Sequence, residues 1–142
     1  IGLVIRHAYL WWSESRQGRE EGRKDRPCLI IHRRQNDYGE TEVFIVPITH
    51  TPPQNPERAT RLPQATKHRL GLDDQESWII TTEVNRFVWP GPDLRPVPGG
   101  GMAYGHLPAR MTRDVARQIK DNANDRALKV VRRDDDVPGR GA

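Results

Sequence analysis

Two stretches decide the fold: "DRPCLIIH" (25–32) and "TEVFIVPITH" (41–50). Each opens on polar residues, passes into a short apolar run rich in β-branched side chains, and turns polar again. Runs of this length bounded by turn residues read as buried strands. Between them "RRQNDYGE" supplies turn chemistry, so the pair reads as an antiparallel hairpin. Pro47 has no N–H to offer a ladder and is expected to mark the end of the second strand or a bulge. The hairpin leaves polar residues at its open end: Arg26, set by the following proline, and the pair Thr49-His50.

On the N-terminal side, "LVIRHAYLWW" (3–12) reads as a further strand, and "SESRQGREEGRKDR" (13–26) as a long polar loop without an apolar residue. Beyond the hairpin, "THTPPQNPERAT" is expected to be irregular. Pro63 and Gly71 frame one helical turn. "SWIITTEV" (77–84) reads as a strand and "RFVW" (86–89) as a shorter one ended by Pro90. "PGPDLRPVPGGG" is a loop, and "MAYGHL" a short strand or turn. The convincing helix is 108–122: Pro108 sits in its first turn, and Leu107, Met111, Val115 and Ile119 recur every four residues on one face. "ALKVVRR" reads as a last edge strand and "DDDVPGRGA" as a frayed tail. The expected division is a barrel domain over 1–122 and an extension over 123–142. No helix separates the early strands, so a βαβ fold is excluded. The fold class is mainly β, a small, strongly bent sheet or partly open barrel of short strands with one helix.

The composition agrees. The chain has 142 residues, a hydrophobic share of only 35%, and 12 each of Gly and Pro. This suits one domain with a small core and many turns. No apolar run approaches the roughly 20 residues that span a bilayer. Arg6 and His7 interrupt the start, so no signal-peptide pattern is seen, and Ile1 is not an initiator, so residues are expected to precede it. The lone Cys28 rules out an internal disulfide and fits a reducing compartment. It lies in an apolar strand and is expected to be an inert thiol. The five histidines are dispersed, so no metal site and no cofactor is expected. Nucleotide and serine-hydrolase motifs are absent.

The net charge is +4. Residues 6–34 carry eight basic side chains and four acidic ones, and eight minus four is the whole surplus. Arg16, Arg19, Arg23 and Lys24 lie in the polar loop. Such a concentration suits a polyanion; a solvated, charge-mixed loop is the plain alternative.

The strand-end residues suggest chemistry. Arg26, Thr49, His50, Glu83 and Arg86 all flank strand ends, and a small barrel can gather such ends. Arginine clamps phosphate oxygens and stabilises a pentacoordinate transition state. A hydroxyl holds a non-bridging oxygen. A carboxylate or histidine can take the proton of a ribose 2′-OH, which RNA has and DNA lacks. Each residue also has an ordinary structural explanation: Arg26 in a surface ion pair, Thr49 as a backbone cap, Glu83 as the partner of Arg86.

The order of the pieces resembles the MazF/PemK family of toxins from bacterial type II toxin–antitoxin pairs. Five blocks carry the resemblance: Gly2-Leu3-Val4-Ile5, Asp25-Arg26-Pro27-Cys28-Leu29-Ile30-Ile31, Phe44-Ile45-Val46-Pro47-Ile48-Thr49-His50, Glu83-Val84-Asn85-Arg86, and Gly105-His106-Leu107-Pro108. The resemblance implies an SH3-like barrel with a C-terminal helix. It implies a metal-independent endoribonuclease that cleaves single-stranded RNA by 2′-OH attack. A homodimer, a cognate antitoxin and a bacterial cytoplasmic location go with it. Arg26 and Thr49 match the family's catalytic Arg and Thr, Glu83 stands where many members have Asp, and Arg86 keeps the basic residue three positions later. The implied catalytic set is therefore Arg26, Thr49, Glu83 and His50. The RNA-binding set is Arg16, Arg19, Arg23, Lys24, Arg86 and Trp12, with Trp11 as the other stacking candidate. Departures are His50 for Ser, Val84-Asn85 for Gln-Ile, Leu3 for Asp, and long loops at 13–26, 51–62 and 90–104. The alternative is an inactive SH3-like module that binds RNA or a peptide.

Overall fold

The computed structural model describes residues 1–13 and 25–133. Within them lie nine strands and two α-helices: β1 (Leu3–His7), β2 (Arg26–Gln35), β3 (Thr41–Thr49), β4 (Ala59–Leu62), α1 (Gln64–Arg69), β5 (Ser77–Ile80), β6 (Glu83–Val88), β7 (Leu94–Arg95), β8 (Ala103–His106), α2 (Ala109–Asn124) and β9 (Lys129–Arg132). The fold is mainly β, a bent, largely antiparallel sheet with a helix near the C-terminus.

β2 and β3 form the hairpin, turning through 36–40, and their register runs from Cys28 opposite Pro47 to Gln35 opposite Thr41. β3 organises the rest. Its first half pairs with β6 up to Ile45. Its end, Ile48 and Thr49, pairs with β5. Pro47 falls between these two neighbours, so no ladder on that side asks for its missing N–H, and the strand runs through it to Thr49. The register shift lies in β2 instead, between Ile30 and His32. β1 joins β2, β7 and β8. β9 pairs with β6 and is the parallel partner in the sheet.

Both sheet faces are covered. Val4, Leu29, Val46, Ile48 and Ile79 pack with Val115 and Ile119 of α2. Ile5, Tyr9, Cys28, Val43, Ile45 and Phe87 form a second cluster on the other face. Burial of each such side chain stabilises by about 1.5–3 kcal/mol. Cys28 is fully buried, and burial pushes its thiol well up, as expected of an inert thiol.

Several boundaries differ from those read in the sequence. β1 ends at His7 rather than Trp12, because Asn85 takes hold of the Leu10 backbone and draws the chain out of the ladder. The stretch 77–89 breaks at Thr81-Thr82 rather than at Asn85. The cause is α2: Asn122 Nδ2 donates to the Thr81 carbonyl at 2.7 Å, and the Thr81 hydroxyl donates to Gln118 Oε1 at 2.8 Å. The helix runs to Asn124. Its buried stripe is Thr112, Val115, Ile119 and Asn122, with polar residues at both ends and Met111 only half-buried. In the 90–104 loop, Leu94 and Arg95 pair with β1, and Asp93 is buried against Arg133. Residues 129–133 are thus tied to the sheet, while 134–142 lie outside the described residues.

Candidate active site

Register brings three strand ends together. Cys28 faces Pro47, and two steps on, Arg26 stands across from Thr49. Ile45 faces Asn85, and Glu83, two residues further along β6, points to the same side as Asn85. Side chains alternate along a strand and paired residues share a face. Arg26, Thr49 and Glu83 therefore lie on one face, that of the second core cluster.

A hollow of about 680 Å³ opens there, lined by Trp11, Arg26, Thr49, Arg58 and Glu83 among others. The Arg26 guanidinium lies 5.0 Å from the centre of the Trp11 ring. Its Nε is buried and has no hydrogen-bond partner among the described residues. Glu83 is oriented by two donors, the Tyr9 hydroxyl at 3.2 Å and the Trp12 N–H at 3.0 Å, both on Oε1. Burial and the neighbouring Glu83 charge push the Tyr9 phenol well above its ordinary value, so it remains a donor. The Thr49 oxygen accepts the Thr51 N–H at 3.2 Å, which leaves its own proton to donate.

A second hollow of about 410 Å³ lies on the other side of Arg26 and Thr49. It holds His50, whose Nε2 lies 2.7 Å from Asp73 Oδ2. Burial alone would raise the Asp73 carboxyl. The Lys67 hydrogen bond, the Gln75 N–H and the charges of Lys67 and His50 outweigh it and hold Asp73 below its ordinary range. No group of three or more His, Cys, Asp or Glu side chains among the described residues converges to hold a metal ion.

The structure thus gathers Arg26, Thr49 and Glu83, with His50 adjacent but in the other hollow. Arg86 is not brought in. Three residues from Glu83 on a strand means the opposite face, and it pairs beside Phe44 of the first cluster. Trp11 lines the hollow, whereas Trp12 lies under the Lys129 ammonium at 5.6 Å and contributes only its backbone N–H. Arg16, Arg19, Arg23 and Lys24 lie outside the described residues. Tyr9, Asp73 and Lys67 were missed; nothing in their local sequence distinguishes them from core or surface residues.

An Arg, a Thr and an oriented carboxylate at one end of a small bent barrel define a candidate phosphodiester site. The sequence profile of the PemK-like, MazF-like toxins of type II toxin–antitoxin systems matches residues 7–88. The chain belongs to that family. Among solved structures it is similar to the Mycobacterium tuberculosis toxin MazF-mt6, with 24% identity, coverage of 85% of this chain and 95% of that one, and a TM-score of 0.49. No curated protein sequence matches. Among the described residues no helix is long and apolar enough to cross a membrane.

Proposed function

We propose that this toxin is a metal-independent endoribonuclease that cleaves single-stranded RNA. The observation that carries the reading is the register that sets Arg26, Thr49 and Glu83 on one face around one hollow. The scissile phosphate sits against Arg26, whose unpaired Nε and guanidinium charge meet the extra negative charge of the transition state. The Thr49 hydroxyl donates to a non-bridging oxygen. Glu83, held by Tyr9 and Trp12, takes the 2′-OH proton. The 2′-oxygen bonds to phosphorus, the bond to the 5′-oxygen breaks, the leaving 5′-oxygen takes up a proton, and the products are a 2′,3′-cyclic phosphate and a 5′-OH. Trp11 offers a base a stacking surface. The toxin acts in the bacterial cytoplasm as a homodimer held in check by a cognate antitoxin.

The test is incubation with a long single-stranded RNA in EDTA, beside Arg26→Ala and Thr49→Ala variants. Discrete fragments with cyclic-phosphate ends from the parent, and slowing by about 10²-fold or more in Arg26→Ala, are expected. RNA that binds the parent yet stays intact overturns the reading and leaves a binding module.

A further inference from the structure

Arg26 and Thr49 form a wall common to two hollows. The steps above use the Glu83 side. On the other side, His50 is held by a chain of groups. The Asp73 carboxylate is ionised and accepts only, so the His50 Nε2 that lies 2.7 Å from it carries a proton. The other Asp73 oxygen accepts from Lys67 Nζ at 2.7 Å and from the Gln75 N–H at 3.1 Å. Lys67 is only 1% exposed, and its ammonium also donates to the Gln75 carbonyl. Lysine is seldom buried this far without partners that satisfy its charge. The arrangement fixes the ring, commits Nε2 to Asp73, and leaves Nδ1 as the nitrogen that can exchange a proton with a ligand.

In-line displacement places the attacking and leaving oxygens on opposite sides of phosphorus. Glu83 lines one hollow, His50 the other, and Arg26, Thr49 and Thr51 line both, so a phosphate held by Arg26 and Thr49 where the hollows meet would be reached by Glu83 from one hollow and by His50 from the other. We propose that His50 is the general acid that protonates the leaving 5′-oxygen, with Asp73 and Lys67 as its positioning residues. This rests on the ribonuclease reading above. As Glu83 takes the 2′-OH proton and the 2′-oxygen–phosphorus bond forms, the imidazolium Nδ1–H passes to the 5′-oxygen and the phosphorus–5′-oxygen bond breaks. The charged or titratable groups sharing the hollow are Asp25, Arg26, Lys67, Asp73 and Tyr104. Asp25 is itself engaged by Arg6 at 3.9 Å and by Arg95 at 3.6 Å.

The test first maps a cut site with the parent on a long RNA. Two short RNAs spanning that site are then compared, one ordinary and one with sulfur in place of the bridging 5′-oxygen. A thiolate leaves without being protonated. His50→Gln leaves the Lys67–Asp73 pair intact and is expected to fold. It should slow cleavage of the ordinary RNA by about 10²-fold or more, yet cut the sulfur RNA at close to the parent rate. Asp73→Asn should show the same pattern with a smaller loss, and should add nothing further in the His50→Gln background. Glu83→Gln should slow both RNAs. Equal slowing of both RNAs by His50→Gln, or slowing of neither, overturns the assignment while leaving the ribonuclease reading in place. A parent that cuts no RNA overturns both, and does so before any variant is compared.

Discussion

The Asn85 side chain clasps the Leu10 backbone from both sides: Nδ2 donates to the Leu10 carbonyl at 2.8 Å, and Oδ1 accepts the Leu10 N–H at 2.9 Å. Asn85 is fully buried, and Arg133 Nη1 reaches the same Oδ1 at 3.3 Å. Two residues after Leu10, the Trp12 N–H meets Glu83. The clasp therefore sets the segment that carries Trp11 and orients the carboxylate. Asn85→Ala strands two buried backbone groups at about 1–3 kcal/mol each, so a loss of about 2–6 kcal/mol is expected. Urea denaturation reads it, and the urea midpoint of Asn85→Ala should fall well below the parent's.

Glu83→Gln separates charge from shape. The amide oxygen can still accept from Tyr9 and Trp12, so the thermal midpoint should move little. The base is gone, so RNA cleavage should fall by about 10²–10⁴-fold. Tyr9→Phe makes the converse comparison. It removes one donor at 3.2 Å and keeps the carboxylate, and should slow cleavage far less. Single-turnover cleavage of one RNA by both variants checks the order.

The hairpin was legible because two apolar runs flank a turn, but the turn's own register, continued unbroken from His32 opposite Phe44, would set Arg26 across from His50; the shift between Ile30 and His32, which nothing in the sequence announces, moves it to Thr49. Glu83 was legible as a strand end, but the break at Thr81-Thr82 was not. It depends on Gln118 and Asn122, side chains of a helix some forty residues later, and no local pattern announces a polar contact made across the fold. Arg86 stands apart from Glu83 for a related reason. Three residues from Glu83 looks close in sequence, yet strand alternation sends the two side chains to opposite faces. Lys67 and Asp73 were illegible because a lysine in a short polar helix ordinarily faces water.

His7 predicts a pH dependence. It is fully buried, stacks on Phe87 with ring centroids 4.6 Å apart, and neither ring nitrogen has a hydrogen-bond partner among the described residues. Burial first, then the charges of Arg133 and Arg95, lower it from 6.5 to about 3. The unfolded chain thus binds this proton before the folded one does. The contribution is whole above the unfolded value of 6.5 and is lost as pH falls from there toward about 3. At about 1.4 kcal/mol per unit, the loss should reach on the order of 3 kcal/mol by pH 4. Asp73, held below its ordinary value, loses its contribution only below 3.8 and leaves that window clear. Urea midpoints from about pH 7.5 to pH 4 should fall steeply for the parent and more gently for His7→Leu.

Arg133 ties the strand after α2 to the rest of the barrel. Its guanidinium is 1% exposed, donates to Asp93 Oδ2 at 2.9 Å and to the Ala8 carbonyl at 2.6 Å. Removing one member of a buried pair leaves the other charge uncompensated, so Arg133→Met should cost about 3–5 kcal/mol. Replacing both, as Arg133→Met with Asp93→Leu, should recover much of that loss, since no lone charge then remains buried. The same single variant bears on His7. The Arg133 charge is one of the two that depress it, so without that charge the folded value of His7 moves back toward 6.5. The gap between folded and unfolded values narrows, and Arg133→Met should lose less stability on acidification than the parent even though it is less stable at neutral pH. Urea midpoints of the two proteins over the same pH range check both statements. A parallel fall in the two would mean that the guanidinium acts on His7 only through packing.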